Sequence, residues 1–298
     1  IVYNIYEVKS MNKVPFKHIL TASASAAAGA FLYCEQNCIE ISRYKLHCEK
    51  FSAKHGRLRI VHLSDLHNKT FGKNNRVLLK KVSDLCPDIV LLTGDMVSHG
   101  VPDLDGYLRF AKHLAEDYPV YYVNGNHECS DLDDTQKKRL ADAMENAGAV
   151  CVDNDISHLS FYGETIDICG ICYEKKFYRG VREHRFQWEE FTPDEMNRIA
   201  PKRCDDHLTL LLAHNPLDFD VYAEWGADVS FGGHVHGGLV RLPYIGGILS
   251  PERKLMPRYK EGIYEKSGHY LAVSRGLGEL RLFNRPEIVC VDIYGKEC

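Results

Sequence analysis

The sequence predicts an α/β fold in which short strands alternate with helices. Three observations carry this. Apolar runs of four to six residues recur along the chain, each followed by a stretch with helical spacing of its apolar residues. Run after run ends in a cluster of Asp, Asn, His and Gly. The length, 298 residues with 45% hydrophobic and 26% charged, suffices for a substantial core in one large domain or two smaller ones. Strand–helix–strand repetition by itself implies an open sheet with helices on each face.

The N-terminal stretch is basic (Lys9, Lys13, Lys17), then small and weakly apolar from Ile19 to Tyr33. Fifteen such residues fall short of the roughly 20 needed to span a bilayer. Ala-Ser-Ala and Ala-Ala-Ala triplets within it resemble a signal-peptide cleavage region. The readings are a secretory signal, a marginal anchor or a surface helix, with signal or anchor ahead. Residues 1–35 are therefore separated from a catalytic domain over 36–298, and are expected to be dispensable for fold and chemistry. The protein is expected to be membrane-associated or cytoplasmic. Residues 34–57 read as an extended lead-in, with Ile39, Ile41, Tyr44 and Leu46 broadly alternating.

The regular pattern begins at Leu58–Leu63, a strand ending in Ser64-Asp65-Leu66-His67. Val77, Leu78, Val82 and Leu85 have helical spacing, stopped by Pro87. Asp88–Thr93 is a buried strand ending in Gly94-Asp95; Tyr107, Phe110 and Leu114 mark the next helix. Val120–Val123 ends in Asn124-Gly125-Asn126-His127-Glu128. Residues 132–147 read as one helix with Leu140 and Met144 inward, followed by strand-like runs at 150–152, 158–162 and 165–173. Residues 174–206 are polar and basic-aromatic (Lys175, Lys176, Tyr178, Arg179, Arg182, Arg185, Trp188). No core pattern runs through them, which implies solvated surface or a flap. Leu208–Ala213 is a strand ending in His214, and Asp228–Phe231 leads to Gly233-His234-Val235-His236-Gly237. Hairpin-like strands follow at 261–265, 269–274 and 287–294.

Net charge is −4, and no nucleic-acid-binding surface is evident. The balance is uneven: residues 1–57 carry +4 and the remainder −8, which suits cations better than polyanions. Fifteen histidines favour metal chemistry. Eleven cysteines without regular spacing read as reduced thiols rather than a disulfide framework. Cys169-Gly-Ile-Cys172 lacks a second CxxC and reads as two thiols packed on a strand.

Five strand ends thus present oxygen and imidazole donors: Asp65/His67, Asp95, Asn126/His127, His214 and His234/His236. Ligands of open α/β sheets bind beyond the carboxyl ends of the strands. Such donors suit Mn, Fe, Zn or Co. They are too many for one catalytic ion with open positions, and fit two ions about 3.5–4 Å apart sharing a carboxylate. No Gly-x-x-x-x-Gly-Lys stretch is present, which disfavours a P-loop NTPase.

Asp-x-His, Gly-Asp, Gly-Asn-His-Glu, His and Gly-His-x-His in this order resemble the calcineurin-like metallophosphoesterase family, over residues 65–236. Gly262-Ile-Tyr264, Ser274-Arg-Gly-Leu-Gly278 and Asn284-Arg-Pro-Glu-Ile288 resemble its subgroup of bacterial membrane-linked phosphohydrolases and UDP-2,3-diacylglucosamine pyrophosphatases. The resemblance implies two mixed β-sheets packed as a sandwich and flanked by helices. It implies Asp65, His67 and His236 on one metal, Asn126, His214 and His234 on the second, Asp95 bridging, and His127 near the leaving group. The expected cofactors are two divalent or trivalent ions, Mn, Fe or Zn. A hydroxide shared by them would attack a phosphodiester, phosphomonoester or pyrophosphate bond, with a phosphate-ester substrate that is lipid-linked or a nucleotide sugar. Family members often carry a charged residue three positions after the bridging Asp; here it is Ser98, which puts the positioning of His127 in doubt. His62, His99, His207 and His269 match no ligand motif and read as ordinary histidines. The alternative is a catalytically weak metal-binding scaffold; such members typically lose the histidine that His127 represents.

Overall fold

The computed structural model describes residues 16–295 except 53, 55, 99–103, 173, 179–188, 239, 243–245, 250–257 and 279–281. Lys9, Lys13, His99, Arg179, Arg182, Arg185 and Trp188 lie outside the described residues.

Two six-stranded mixed sheets face each other. In sheet one, β1 (Glu40–Cys48), β14 (Glu287–Gly295), β2 (Arg57–Leu63), β3 (Ile89–Thr93), β4 (Val120–Val123) and β5 (Val150–Cys151) lie side by side in that order. In sheet two the order is β12 (Gly262–Lys266), β13 (His269–Val273), β9 (Val229–Gly232), β8 (Leu208–Ala213), β7 (Glu164–Ile171) and β6 (Ile156–Phe161). The centres, β2–β5 and β13–β9–β8–β7, are parallel. A small hairpin joins β10 (Val240–Leu242) and β11 (Gly246–Leu249).

The side-chain period of two explains the sandwich. Along β3, Ile89 and Leu91 enter the core between the sheets, whereas Val90 and Leu92 enter the core beneath the helices. Those helices are α2 (Arg76–Ser83), α3 (Leu104–Asp117) and α5 (Asp134–Asn146), whose Leu78, Val82, Phe110, Leu114, Leu140 and Met144 are buried there. Leu208, Leu210 and Leu212 of β8 meet sheet one. Leu211 and Ala213 meet the third core, with Met196 of α6 (Pro193–Ile199) and Phe219 and Tyr222 of α7 (Phe219–Trp225). The layers run helix, sheet, sheet, helix.

Several expectations change. The single open sheet divides into two, as the family resemblance implied. The 287–294 strand forms no hairpin with its predecessors. It crosses to sheet one, parallel to β1 and antiparallel to β2. The helix expected over 132–147 is two, α4 (Asn126–Asp131) and α5, separated by Leu132 and by Asp133, which caps α5 by accepting from Gln136 N at 2.8 Å. The 174–206 segment is not simply solvated: Phe177, Tyr178, Phe191 and Met196 are buried in the third core. Residues 16–37 form a helix, α1 (Phe16–Asn37), so the extended lead-in starts later, at β1. Among the described residues no helix is long and apolar enough to cross a membrane.

Candidate metal centre

The ends of β2, β3, β4, β8 and β9 converge on one point between the sheets. Asp65, His67 and His236 offer one ligand atom each within 4.8 Å of one another, and so do Asp95, His214 and His234. A third grouping, His67, Asp95 and His127, overlaps the other two, so Asp95 stands between the halves. His214 Nε2 is 3.1 Å from Asp95 Oδ2 and 3.9 Å from Asp65 Oδ1; His236 Nδ1 is 3.7 Å and His67 Nε2 3.9 Å from Asp65 Oδ1.

The loops that make this approach are strained. Asp65, His67, Asp95, His234 and His236 have φ between 49° and 61°, the left-handed region that side-chain-bearing residues rarely adopt. Each such residue costs on the order of 1–3 kcal/mol, so the surroundings must hold it. Glu128 does much of this. Its buried carboxylate accepts from Asp95 N (2.8 Å), Met96 N (2.7 Å), Val97 N (3.1 Å) and Gly125 N (2.8 Å), tying the Gly-Asp turn to the Gly-Asn-His-Glu turn. Asp65 accepts from His234 N at 3.1 and 3.2 Å, and Asp95 Oδ1 from His127 N at 2.9 Å. The glycines clear space: a Cβ on Gly125 would stand 2.3 Å from Asp95 Oδ1, and one on Gly233 2.1 Å from Asp65 Oδ2.

The tail motifs brace the same loops. Leu277 N donates to Asp65 O at 3.1 Å and Gly278 N to Asp65 O at 2.6 Å. Asn284 Nδ2 donates to His236 O at 2.7 Å, and Glu287 accepts from Arg275 N at 2.8 Å. At the end of α1, buried Glu35 accepts from Asn284 N and Arg285 Nε, each at 3.0 Å.

Protonation follows from the geometry. His214 Nδ1 donates to Thr93 O at 2.6 Å, which aims Nε2 at Asp95. Burial acts to lower the His214 pKa, but the charges of Asp95 and Asp65 outweigh it and push it up to about 10. Burial acts to raise Asp95, but His214, then His127 and His67, hold it well below the usual carboxylate range. Asp65 is likewise lowered, by His236 and His214 against burial. Both acids therefore stay ionised at neutral pH, in buried surroundings that call for a cation. Asn126 Oδ1 is a buried acceptor that no donor meets, as a ligand oxygen would be. On charge, donor type and spacing, the residues fit bound metal.

His127 sits at the edge, its Nε2 3.7 Å from Asp95 Oδ2. The expected doubt about its positioning is answered one turn further along α4. His127 Nδ1 lies 2.9 Å from Asp131 Oδ2, at helical i,i+4 spacing. Ser98 takes no part in this; its backbone N–H donates to Asn68 Oδ1 at 3.2 Å. Asp131, Glu128 and Tyr178 were missed as site residues. The Tyr178 ring is buried, with its centroid 5.1 Å from that of His234. The i,i+4 spacing was the one sequence signal for Asp131.

The other histidines stay outside. His62 is fully buried, its Nε2 2.7 Å from Thr93 Oγ1, and burial pulls its pKa down to about 3. His269 Nδ1 bonds Ala227 O at 2.7 Å. His207 and His158 both meet Asp167 Oδ1 at 2.9 Å, pinning the turn before β8 to β7.

A two-sheet sandwich with clustered carboxylate, amide and imidazole donors at its strand ends defines a metal-dependent hydrolase. The family described as calcineurin-like phosphoesterase matches residues 58–238, and the chain belongs to it. The chain is thus a metallophosphoesterase. It is similar to an uncharacterized metallophosphoesterase, YkoQ, of Bacillus subtilis (strain 168), 24% identical over 78% of this chain and 82% of that protein. It is also similar to the phosphodiesterase YaeI of Escherichia coli (strain K12), 26% identical over 92% and 95%. Among solved structures, the phosphopantetheinyl hydrolase of Mycobacterium tuberculosis aligns with TM-score 0.45 and 14% identity, covering 73% of this chain and 88% of that one.

Proposed function

We propose that the protein is a dinuclear-metal phosphoesterase that cleaves a phosphodiester or diphosphate bond in a lipid-linked or nucleotide-sugar substrate. The observation that supports the two-ion reading is the position of Asp95, which groups with His214 and His234 on one side and with His67, a member of the other half, on the other. Asp65, His67 and His236 would hold one ion, Asn126, His214 and His234 the other, with Asp95 common to both. Mn, Fe and Zn match the donors. When bound, the ions supply Lewis-acid polarisation of phosphate oxygens and acidification of a water.

The chain's own residues do the rest. His127 donates a proton from Nε2 to the leaving oxygen. Asp131 accepts from its Nδ1 and holds the ring toward Asp95. Glu128 keeps the Asp95 and Asn126 turns together. Asn126, a neutral oxygen ligand, leaves part of the cations' charge for the substrate. The name of the Escherichia coli relative supports phosphodiester chemistry. Exposed Leu20, Phe31, Leu32 and Tyr33 on α1, and Leu282 and Phe283 beside Asn284, support a lipid-linked substrate presented near His236. On this reading residues 1–35 dock the enzyme on a membrane surface and residues 36–298 are catalytic, with Glu35 at the junction tying the docking helix to the Asn284 loop.

Turnover of metal-loaded protein against phosphomonoesters, phosphodiesters and nucleotide-sugar pyrophosphates tests the proposal. Hydrolysis of diesters or pyrophosphates with two ions per chain is expected. Activity with a single ion, or none on any ester, would overturn it.

A further inference from the structure

Cys172 belongs to the one CxxC of the sequence, yet its nearest thiol is not Cys169. Cys169 is fully buried on β7, facing the third core. Cys172 lies just past the end of β7, and its Sγ is 2.9 Å from Sγ of Cys129. Cys129 is on α4, two residues after His127 and three after Asn126. The contact therefore joins the short helix that carries two site residues to the second sheet.

Both partners are held in place. Asn154 clamps the backbone of Cys172, its Nδ2 donating to Cys172 O at 2.9 Å and its Oδ1 accepting from Cys172 N at 3.0 Å. Cys129 N donates to Gly125 O at 3.1 Å, at the start of α4. Both thiols are half-buried rather than sealed. Cys129 also lines a cavity of about 330 Å³, together with Asn124, Glu128, Lys137, Cys151 and Asp153, large enough to admit a small oxidant beside this residue.

We propose that Cys129 and Cys172 are a reversible disulfide site through which oxidation reaches the catalytic helix. With hydrogen peroxide as oxidant, Cys129 sulfur attacks one peroxide oxygen. The O–O bond breaks, a sulfenic acid forms, and hydroxide leaves and takes up the thiol proton as water. Cys172 sulfur then attacks the Cys129 sulfur; the S–S bond forms, the S–O bond breaks, and the second water leaves with the Cys172 proton. Two thiols and one peroxide give one disulfide and two waters. The hydrogen bond to Cys129, with burial, keeps the Cys172 proton in place and makes Cys172 the slower nucleophile of the two, so Cys129 is the sulfur that meets peroxide first. A dithiol reverses the reaction by exchange.

The consequence for activity follows from distance. An S–S bond is about 2.05 Å long, so closure draws two sulfurs from 2.9 Å together. The shift is a sizeable fraction of an ångström on a six-residue helix that bears Asn126, His127 and Asp131. A displacement of about 1 Å in a site of this kind costs up to about 10²-fold in rate.

This rests on the phosphoesterase reading, and the experiment separates the two. The full chain, loaded with redox-inert zinc, is treated with hydrogen peroxide, alkylated, digested and mapped by mass. A Cys129–Cys172 cross-linked peptide is expected, with turnover of an aryl phosphodiester falling about tenfold or more and returning with dithiothreitol. Cys172→Ser, checked for native melting, should form no cross-link and keep its turnover under the same peroxide. Absence of the cross-link in the wild type overturns the site, whether or not the protein hydrolyses esters. A cross-link that leaves turnover unchanged, or equal inactivation of Cys172→Ser, overturns its effect on the helix. Failure of the phosphoesterase reading would show separately, as reduced protein without turnover.

Discussion

The two sheets share a plan but contribute different chemistry. Each has a run of parallel strands flanked by antiparallel pairing, β14 on β2 in one, and β6 on β7 and β12 on β13 in the other. Sheet one delivers every candidate oxygen donor of the cluster, Asp65, Asp95 and Asn126, along with His67 and His127. Sheet two delivers imidazoles only, His214, His234 and His236. Carboxylates buried this deeply need donors, and the turns of sheet one hold theirs by backbone N–H groups gathered on Glu128 or aimed at Asp65 and Asp95. An imidazole needs a single partner to fix its tautomer, as Thr93 O does for His214. Each sheet braces the other: Thr93 of sheet one orients His214, and His234 N of sheet two holds Asp65.

Removing charge from sheet one should therefore do the most damage. Asp95→Asn is expected to lower metal content in both halves and to reduce turnover by at least about 10³-fold, several kcal/mol of lost charge stabilisation. His236→Ala, in sheet two, should lose mainly one ion. Elemental analysis beside turnover checks this. Equal loss from both variants would show that the halves do not differ as described.

His127 and Asp131 sharpen the contrast within sheet one, because neither is placed as a ligand. His127→Ala should retain both ions and lose about 10²–10⁴-fold in turnover, most for alkoxide leaving groups and least for nitrophenolate. Asp131→Asn should lose less, about 10–100-fold, with the same leaving-group trend. A loss independent of leaving-group pKa would remove both from proton transfer, and parallel loss of metal would make His127 a ligand.

Glu128→Gln tests the scaffold rather than the chemistry. The amide presents a donor to backbone donors that now meet a carboxylate. Leaving them unmet costs about 1–3 kcal/mol, or roughly 2–5 °C of melting temperature, with activity falling as the Asp95 turn loosens. Calorimetry with unchanged melting would show that the strained turns are held elsewhere.

How much was legible differs between the same regions. Every ligand candidate could be picked out of the sequence because each sits at the end of an apolar run beside glycine or another polar residue. The division into two sheets could not. The run Ile89-Val-Leu-Leu92 is apolar on both faces whether its second face meets a helix or another sheet. The crossing of the last strand to sheet one was hidden because its alternation shows a strand and not a neighbour. Phe177 and Tyr178 were hidden because the charged residues around them mask a burial set by the third core. Asp131 was hidden by the expectation that His127's partner lies near position 98, when the helix itself supplied one.

The smallest expected effect lies at the far end of sheet one, where the contrast between charge and imidazole has no metal to complicate it. Arg59 and Asp292 are register partners on β2 and β14. Arg59 Nε donates to Asp292 Oδ1 at 2.7 Å and its Nη2 to Oδ2 at 2.8 Å, a two-pronged pair largely shielded from solvent. Burial acts to raise the Asp292 pKa, but the Arg59 hydrogen bonds outweigh it and hold the carboxyl below its ordinary value. A carboxyl depressed by folding contributes stability that is complete above its unfolded value, about 3.9, and is lost as pH falls through the folded value. Asp292→Asn should therefore melt lower than the wild type from neutral pH down to about pH 5, by roughly 2–6 °C, the effect of weakened charge-assisted hydrogen bonds. The gap should begin to close as pH falls below about 4 and vanish below the lower folded value, where the wild-type carboxyl also becomes neutral. Turnover at neutral pH should be unchanged, because the pair lies at the start of β2 and the candidate metal ligands beyond its end. Melting curves of both proteins across this range check it. A gap that persists undiminished at low pH would mean that Asp292 acts through packing rather than charge.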